Sequence, residues 1–65
     1  METQFDVPTE TYAEKAKLLL ARAGIRWSMQ RVTGKNGCSF RFTAGADAPY
    51  VTGLLTRGRI PYRLV

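Results

Sequence analysis

Histidine is absent from this 65-residue sequence, and cysteine occurs once, as Cys38. Without histidine the chain lacks the usual general base and the commonest metal ligand of proteins. One thiol and five scattered carboxylates do not form the pattern of a zinc site. A single cysteine also cannot form an internal disulfide, which is typical of proteins from a reducing compartment. We therefore expect no metal, no cofactor and no self-sufficient enzymatic activity.

Long apolar runs are missing as well. The longest aliphatic stretch is Leu18 to Leu20, far short of the ~20 residues that a membrane-spanning helix needs. The first residues, Met1 to Gln4, lack the basic and apolar regions of a secretory signal. A chain of 65 residues can form one domain with a thin core. The sequence predicts a single cytoplasmic domain over residues 1–65 that does not contact a membrane.

Acidic residues are few, and four of the five precede Lys15. From Lys15 onward, ten basic residues are balanced by Asp47 alone. Such a surplus favours anionic partners, either nucleic acid or an acidic protein surface, and it is equally typical of an ordinary solvated surface.

The first half of the chain has the pattern of a strand followed by a helix. Residues 4–7 alternate polar and apolar side chains, and Pro8 ends this strand. Thr9 or Thr11 can cap a helix that Gly24 terminates. The apolar stripe expected on this helix consists of Tyr12, Ala16, Leu19, Leu20 and Ala23.

The segment from Ile25 to Thr43 is predicted to be a β-hairpin. Asn36-Gly37 is a strong signal for a type I′ turn, although a longer loop through Thr33-Gly34 is an alternative. Strand alternation then separates an apolar face from a polar face. The cross-strand pairs expected from this turn are Lys35 with Cys38, Thr33 with Phe40, Arg31 with Phe42, and Met29 with Ala44. The residues expected on the apolar face are Trp27, Met29, Phe40 and Phe42.

The last third predicts a second helix and a final strand. Asp47 is the expected N-cap, Gly58 the expected end of the helix, and Ile60 to Val65 the strand. Two helices between four strands predict an α+β ferredoxin-like β-α-β-β-α-β sandwich. In this fold a four-stranded antiparallel sheet carries both helices on one face, and we expect Trp27 and Phe42 to pack beneath them.

Cys38 is the one reactive side chain of the sequence. In the predicted topology its hairpin turn emerges at the same end of the sheet as the N-terminus of the first helix. The positive end of that helix would favour a thiolate. The residues predicted to stabilise this thiolate are Lys35, Arg31, Thr9 and Thr11. The alternative is a packed cysteine, because Cys38 has the same strand parity as the core-facing phenylalanines and free cysteines often behave as small hydrophobes.

Several short features resemble the selenium/sulfur carrier-like family, which consists of small, uncharacterised bacterial proteins. They are Phe5, Pro8-Thr9, Ala23-Gly24-Ile25, and Cys38 ahead of an aromatic strand. The family usually has glycine after the cysteine and a proline-containing loop before it, whereas this chain has Ser39 and no proline there. The resemblance covers residues 5–65 and implies a cysteine that carries sulfur or selenium between proteins.

The leading hypothesis is therefore a small accessory protein that exchanges sulfur or selenium with donor and acceptor proteins through Cys38. A second hypothesis is a basic module that binds nucleic acid or protein, with a structural cysteine. Its candidate contacts on the open face of the sheet are Arg26, Arg41 and Arg63. A third is a regulatory or assembly module that forms a homodimer through the open sheet.

Overall fold

The computed structural model of the protein describes residues 1–35 and 37–65. Its strands form one antiparallel sheet in the order β2-β3-β1-β4, which is the ferredoxin-like arrangement. The predicted α+β fold class is therefore confirmed. The elements in chain order are β1 (Thr3–Val7), α1 (Glu10–Arg22), β2 (Trp27–Gly34), β3 (Gly37–Ala44), α2 (Ala48–Arg57) and β4 (Arg63–Leu64).

The core lies between one face of the sheet and the two helices. Phe5 of β1 and Phe42 of β3 are neighbours in the sheet, are fully buried, and stack with ring centroids 5.1 Å apart. Apolar burial of this kind is the main favourable contribution to folding. The other residues of the core are Val7, Ala13, Ala16, Leu20, Ile25, Ala44, Val51, Leu55 and Ile60.

Trp27 is less enclosed than we predicted. Its ring lies 5.9 Å from that of Phe42, but 38% of the residue is exposed. The reason is that β2 is the outermost strand of the sheet, so the indole has a strand neighbour on one side only. Lys17 Nζ lies 5.9 Å from the ring centroid and covers part of the indole.

The predicted register of the hairpin is wrong by two residues. Gly34 pairs with Gly37 and Met29 with Phe42, whereas Lys35 was expected opposite Cys38. Gly37, expected in the turn, belongs to β3 and has a φ of 106°. Asn36, the other predicted turn residue, lies outside the described residues. The observed register pairs Trp27 with Ala44. In the predicted register the last pair was Met29 with Ala44, so Trp27 would have had no partner in β3.

Both helices end in the same hydrogen-bonded arrangement, the Schellman motif. In α1 the N–H of Gly24 bonds to the carbonyl of Ala21, and that of Ile25 bonds to Leu20. Gly24 has a φ of 71°, the left-handed conformation that this motif requires. The sequence therefore predicted the end of α1 correctly.

In α2 the equivalent left-handed residue is Arg59, with a φ of 55°, and Gly58 before it has an ordinary helical φ of −79°. The N–H of Arg59 bonds to Thr56, and that of Ile60 bonds to Leu55. A Cβ at Gly58 would lie 2.5 Å from Leu19 Cδ1 of α1. Close approach of the two helices therefore explains the glycine here.

The N-termini of the helices differ from each other. Thr9, one of the two candidate caps, accepts a hydrogen bond from the Tyr12 amide at 3.2 Å. Asp47 occupies the N-cap position of α2 as predicted, but its side chain makes no capping hydrogen bond. α2 consequently begins without the side-chain acceptor that the sequence suggested.

The last strand is shorter than predicted, because only Arg63–Leu64 is assigned to β4. Ile60, expected to begin it, uses its N–H to close α2 and buries its side chain in the core. Pro61, next in the chain, has no N–H to give to a strand. The pairing that remains joins Phe5 with Leu64 and Asp6 with Arg63.

Candidate functional site: a thiol on the hairpin arm

The hairpin strands β2 and β3 extend beyond the end of β1, the strand that pairs with β3 on its other side. β1 ends with Val7 opposite Phe40, so the residues of β3 before Phe40 have no partner in β1. We call Val32–Gly34 and Gly37–Ser39 the hairpin arm, the part of the hairpin that has only two strands. Cys38 lies on this arm and is exposed. The alternative of a buried, packed cysteine is therefore wrong.

Two side chains contact the Cys38 sulfur. Arg31 donates from Nη2 to Sγ at 3.6 Å, and the Thr33 hydroxyl oxygen lies 4.0 Å from Sγ. Thr33 is directly opposite Cys38, and Arg31 is two residues before it on the same face of β2. Because sulfur has a larger radius than oxygen, the Arg31 distance is that of a hydrogen bond, whereas the Thr33 distance is at the upper limit for one. The register therefore gives the thiol one cationic and one hydroxyl neighbour.

The other residues predicted to stabilise a thiolate have different surroundings. Lys35 follows the last paired residue of β2 and is exposed, and it does not stand opposite Cys38. Thr9 uses its hydroxyl oxygen to cap α1, and Thr11 is exposed on the first turn of that helix. Within the described ranges, the side-chain hydrogen bonds of the thiol are those to Arg31 and Thr33. Arg31 is thus the predicted residue that the structure brings to the sulfur.

Thr33 is the contact that the sequence reasoning missed. With the expected register it stood opposite Phe40, and Lys35 stood opposite the cysteine. A shift of two residues preserves the faces of both strands but exchanges these neighbours. Knowledge of the pairing register alone would have identified Thr33, because the side chains of directly opposed residues lie close together.

Of the three arginines predicted to contact anions, Arg41 is neutralised by Asp6. Arg41 donates from Nε to Oδ1 at 2.8 Å and from Nη2 to Oδ2 at 3.1 Å. The Asp6 side chain is 14% exposed, and hydrogen bonding to it raises the pKa of the Arg41 guanidinium. Asp6 faces Arg41 directly across β1 and β3. This two-point pair joins the strands, uses two of the five N–H donors of the guanidinium, and places a carboxylate where it would repel an external phosphate.

Arg26 and Arg63 lie at opposite ends of the sheet. Arg63 borders an open cleft of about 330 Å³ together with Tyr62 and Pro61. Arg26 borders another cleft, of about 410 Å³, beside Trp27 and Glu2. The three arginines therefore do not converge on one anion site.

No protein-family model and no curated protein sequence matches the chain. None of the helices in the described ranges is long and apolar enough to cross a membrane. Over residues 1–35 and 37–65, no three histidine, cysteine or acidic side chains are grouped as metal ligands would be. The class that the structure defines is an α+β ferredoxin-like domain with an exposed thiol on its hairpin arm.

Proposed function

We propose that the protein is an accessory sulfur or selenium carrier whose acceptor atom is Cys38 Sγ. The observation that supports this most directly is the exposed thiol with the Arg31 guanidinium 3.6 Å away. Thiolates, rather than thiols, are the nucleophiles in sulfur exchange, and a neighbouring cation favours the thiolate form. The short resemblance around Cys38 points to the same role. In this proposal the protein is not itself an enzyme. It acts in the cytoplasm, where it receives sulfur or selenium from a donor protein and passes it to an acceptor protein.

The proposed transfer needs no external oxidant. The Cys38 thiolate attacks the outer sulfur of a persulfide on the donor. A new S–S bond forms at Cys38, the S–S bond of the donor breaks, and the donor leaves as a thiolate. The reverse attack by an acceptor thiolate on the outer sulfur of Cys38 persulfide releases the cargo. A selenium atom in place of the outer sulfur would move by the same displacement.

Arg31 and Thr33 would act on both states of the cysteine. The guanidinium has several donors, so it can stabilise either the Cys38 thiolate or the anionic persulfide that replaces it. The Thr33 hydroxyl can rotate to donate to the same atoms. Exposure of the arm leaves the sulfur accessible to the persulfide of another protein.

The test is to load the protein with glutathione persulfide and follow the intact mass. We expect addition of one sulfur atom to the parent chain and none to Cys38→Ser. Arg31→Gln should load several-fold more slowly, whereas Arg26→Gln, which removes an equal charge away from the thiol, should load at the parental rate. Because Cys38 is exposed, the free energy of unfolding of Cys38→Ser should lie within about 0.5 kcal/mol of that of the parent. Failure of the parent to load, or equal loading of the two arginine variants, would contradict the proposal.

Binding of nucleic acid through the open sheet face is less well supported. Arg41 and Arg63 flank Asp6 in the sheet and Arg41 is paired with it, whereas Arg26 lies at the other end of the sheet. If phosphate contacts did dominate, binding of polyuridine would fall steeply between low and physiological salt. An absence of binding at low salt would remove this alternative.

A further inference from the structure

The outer edge of β2 is long, regular and open. Within the described part of the chain, β3 is the strand paired with β2, and eight consecutive pairs join them without a bulge, from Trp27–Ala44 to Gly34–Gly37. β2 contains no proline. Sheet edges in natural proteins are usually short, bulged, interrupted by proline, covered or protected by a charged side chain, because an open edge is a template for another strand. Of these features, the edge of β2 has only the charged side chain, that of Arg31.

The pairing shows which backbone groups are available on that edge. The N–H of Gly45 bonds to the carbonyl of Arg26, which fixes the hydrogen-bonded pairs at the even-numbered residues of β2. In an antiparallel pair the next residue along turns its N–H and C=O away from the partner strand. The residues whose backbone groups point outward are therefore Trp27, Met29, Arg31 and Thr33.

The charge on this edge selects the partner. β2 and β3 contain no acidic residue. Among the described residues, neither Arg31 nor Lys35, which directly follows β2, forms an ion pair. Pairing with a second copy would bring two such basic edges together on chains of net charge +5 each. Phosphates of RNA only accept hydrogen bonds, and its donors, the 2′-hydroxyls and base edges, do not reproduce the regular alternation of N–H and C=O groups of a peptide strand. An acidic extended peptide supplies both the alternating backbone groups and the opposite charge.

We propose that β2 is a docking edge for an acidic, extended segment of another protein, which adds to the sheet as a fifth strand. Outward N–H and C=O groups of the four odd-numbered residues would form the main-chain hydrogen bonds. A carboxylate opposite Arg31 would set the register, because side chains of directly opposed residues lie close together. This docking does not depend on sulfur transfer by Cys38.

Amide hydrogen exchange measured by NMR tests this pairing. The probe is an end-capped peptide of the length of β2 that alternates valine with glutamate. Without peptide, we expect fast exchange at Trp27, Met29, Arg31 and Thr33 and slow exchange at Ser28 and Gln30, the even-numbered residues of β2 that lie outside the hairpin arm. Millimolar peptide should slow exchange at the four odd-numbered residues and leave the others unchanged. A peptide with glutamine in place of glutamate should bind more weakly.

Matched variants distinguish strand addition at β2 from nonspecific electrostatic attraction between the basic protein and the acidic peptide. Arg31→Glu should weaken peptide binding by about tenfold, whereas Arg57→Glu, with the same change of charge in α2, should not. Thr33→Pro removes one outward N–H but no hydrogen bond to β3, so it should weaken binding relative to Thr33→Ala. No protection at the odd-numbered amides, equal effects of the two glutamate variants, or tighter binding of polyuridine would overturn the proposal. So would protection that rises with protein concentration alone, since that indicates self-pairing.

Discussion

Replacing Arg59 with glycine is expected to stabilise the protein, because Arg59 is the left-handed residue that closes α2. Its φ of 55° places its Cβ against the neighbouring backbone, which costs a non-glycine residue about 1–2 kcal/mol. Glycine avoids this cost but loses about 0.5–1 kcal/mol through the greater freedom of the unfolded chain. The net gain in the free energy of unfolding should be about 0–1.5 kcal/mol, with a midpoint of about 0.75 kcal/mol. For a domain of this size the midpoint raises Tm by about 3–6 °C.

The neighbouring position should respond in the opposite way. Gly58 already has a helical φ of −79°, so alanine fits its backbone, but the added Cβ would lie 2.5 Å from Leu19 Cδ1. Overpacking costs about 1–3 kcal/mol, and the cost here should be at the lower end because the contacted atom is the end of the half-buried Leu19 side chain. Gly58→Ala should therefore not raise Tm, although alanine is the better helix former.

Thermal and urea unfolding, followed by circular dichroism, measure both effects. Arg59→Ala is the matched control, since it removes the same charge from the C-terminus of α2 and keeps the Cβ. The difference in stability between the glycine and alanine variants isolates the backbone contribution. If Arg59→Gly were no more stable than Arg59→Ala, or if Gly58→Ala were stabilising, this account of how α2 ends would be refuted.

Two further predictions concern the core and the start of α1. Phe42→Ala should cost about 3–5 kcal/mol, because it removes a fully buried ring that stacks on Phe5, and denaturant unfolding should show a domain that is largely unfolded before denaturant is added. A midpoint close to that of the parent would show that Phe42 does not hold the core together. Thr9→Ala should cost about 1 kcal/mol through loss of the cap on the Tyr12 amide, whereas Thr11→Ala should cost much less in the same assay. Equal losses from the two alanine variants would contradict the capping role.

The order of the elements was predictable because it follows from local patterns. Each signal involves only residues that are close in the sequence. These signals are the alternation that ends at Pro8, the helical stripe that ends at Gly24, and the helix between Asp47 and Gly58. The strand order follows from antiparallel pairing and the helical crossovers. Phe42 could likewise be placed in the core from strand parity alone, and it is fully buried.

The register and the neighbours of Cys38 were not predictable in the same way. A shift of two residues leaves every side chain on its own face, so hydrophobic patterning fits both registers. The preference of Asn-Gly for a two-residue turn then favoured the wrong one. The observed register is set by distant contacts, such as Met29 opposite Phe42 and Phe42 against Phe5 of β1. Arg31 at the thiol was predicted, but Thr33 depends on that pairing.

The two-stranded construction of the hairpin arm separates its stability from that of the core. Residues 37–39 of β3 do not pair with β1, whereas β3 pairs with β1 from Phe40 onward. The arm can therefore open by breaking only the hydrogen bonds between its own two strands. Local opening of this kind has a smaller free energy than global unfolding. Amides on the arm should therefore exchange with solvent through fraying that leaves Phe5 and Phe42 in place. Cys38 can therefore change its orientation while the domain beneath it stays folded.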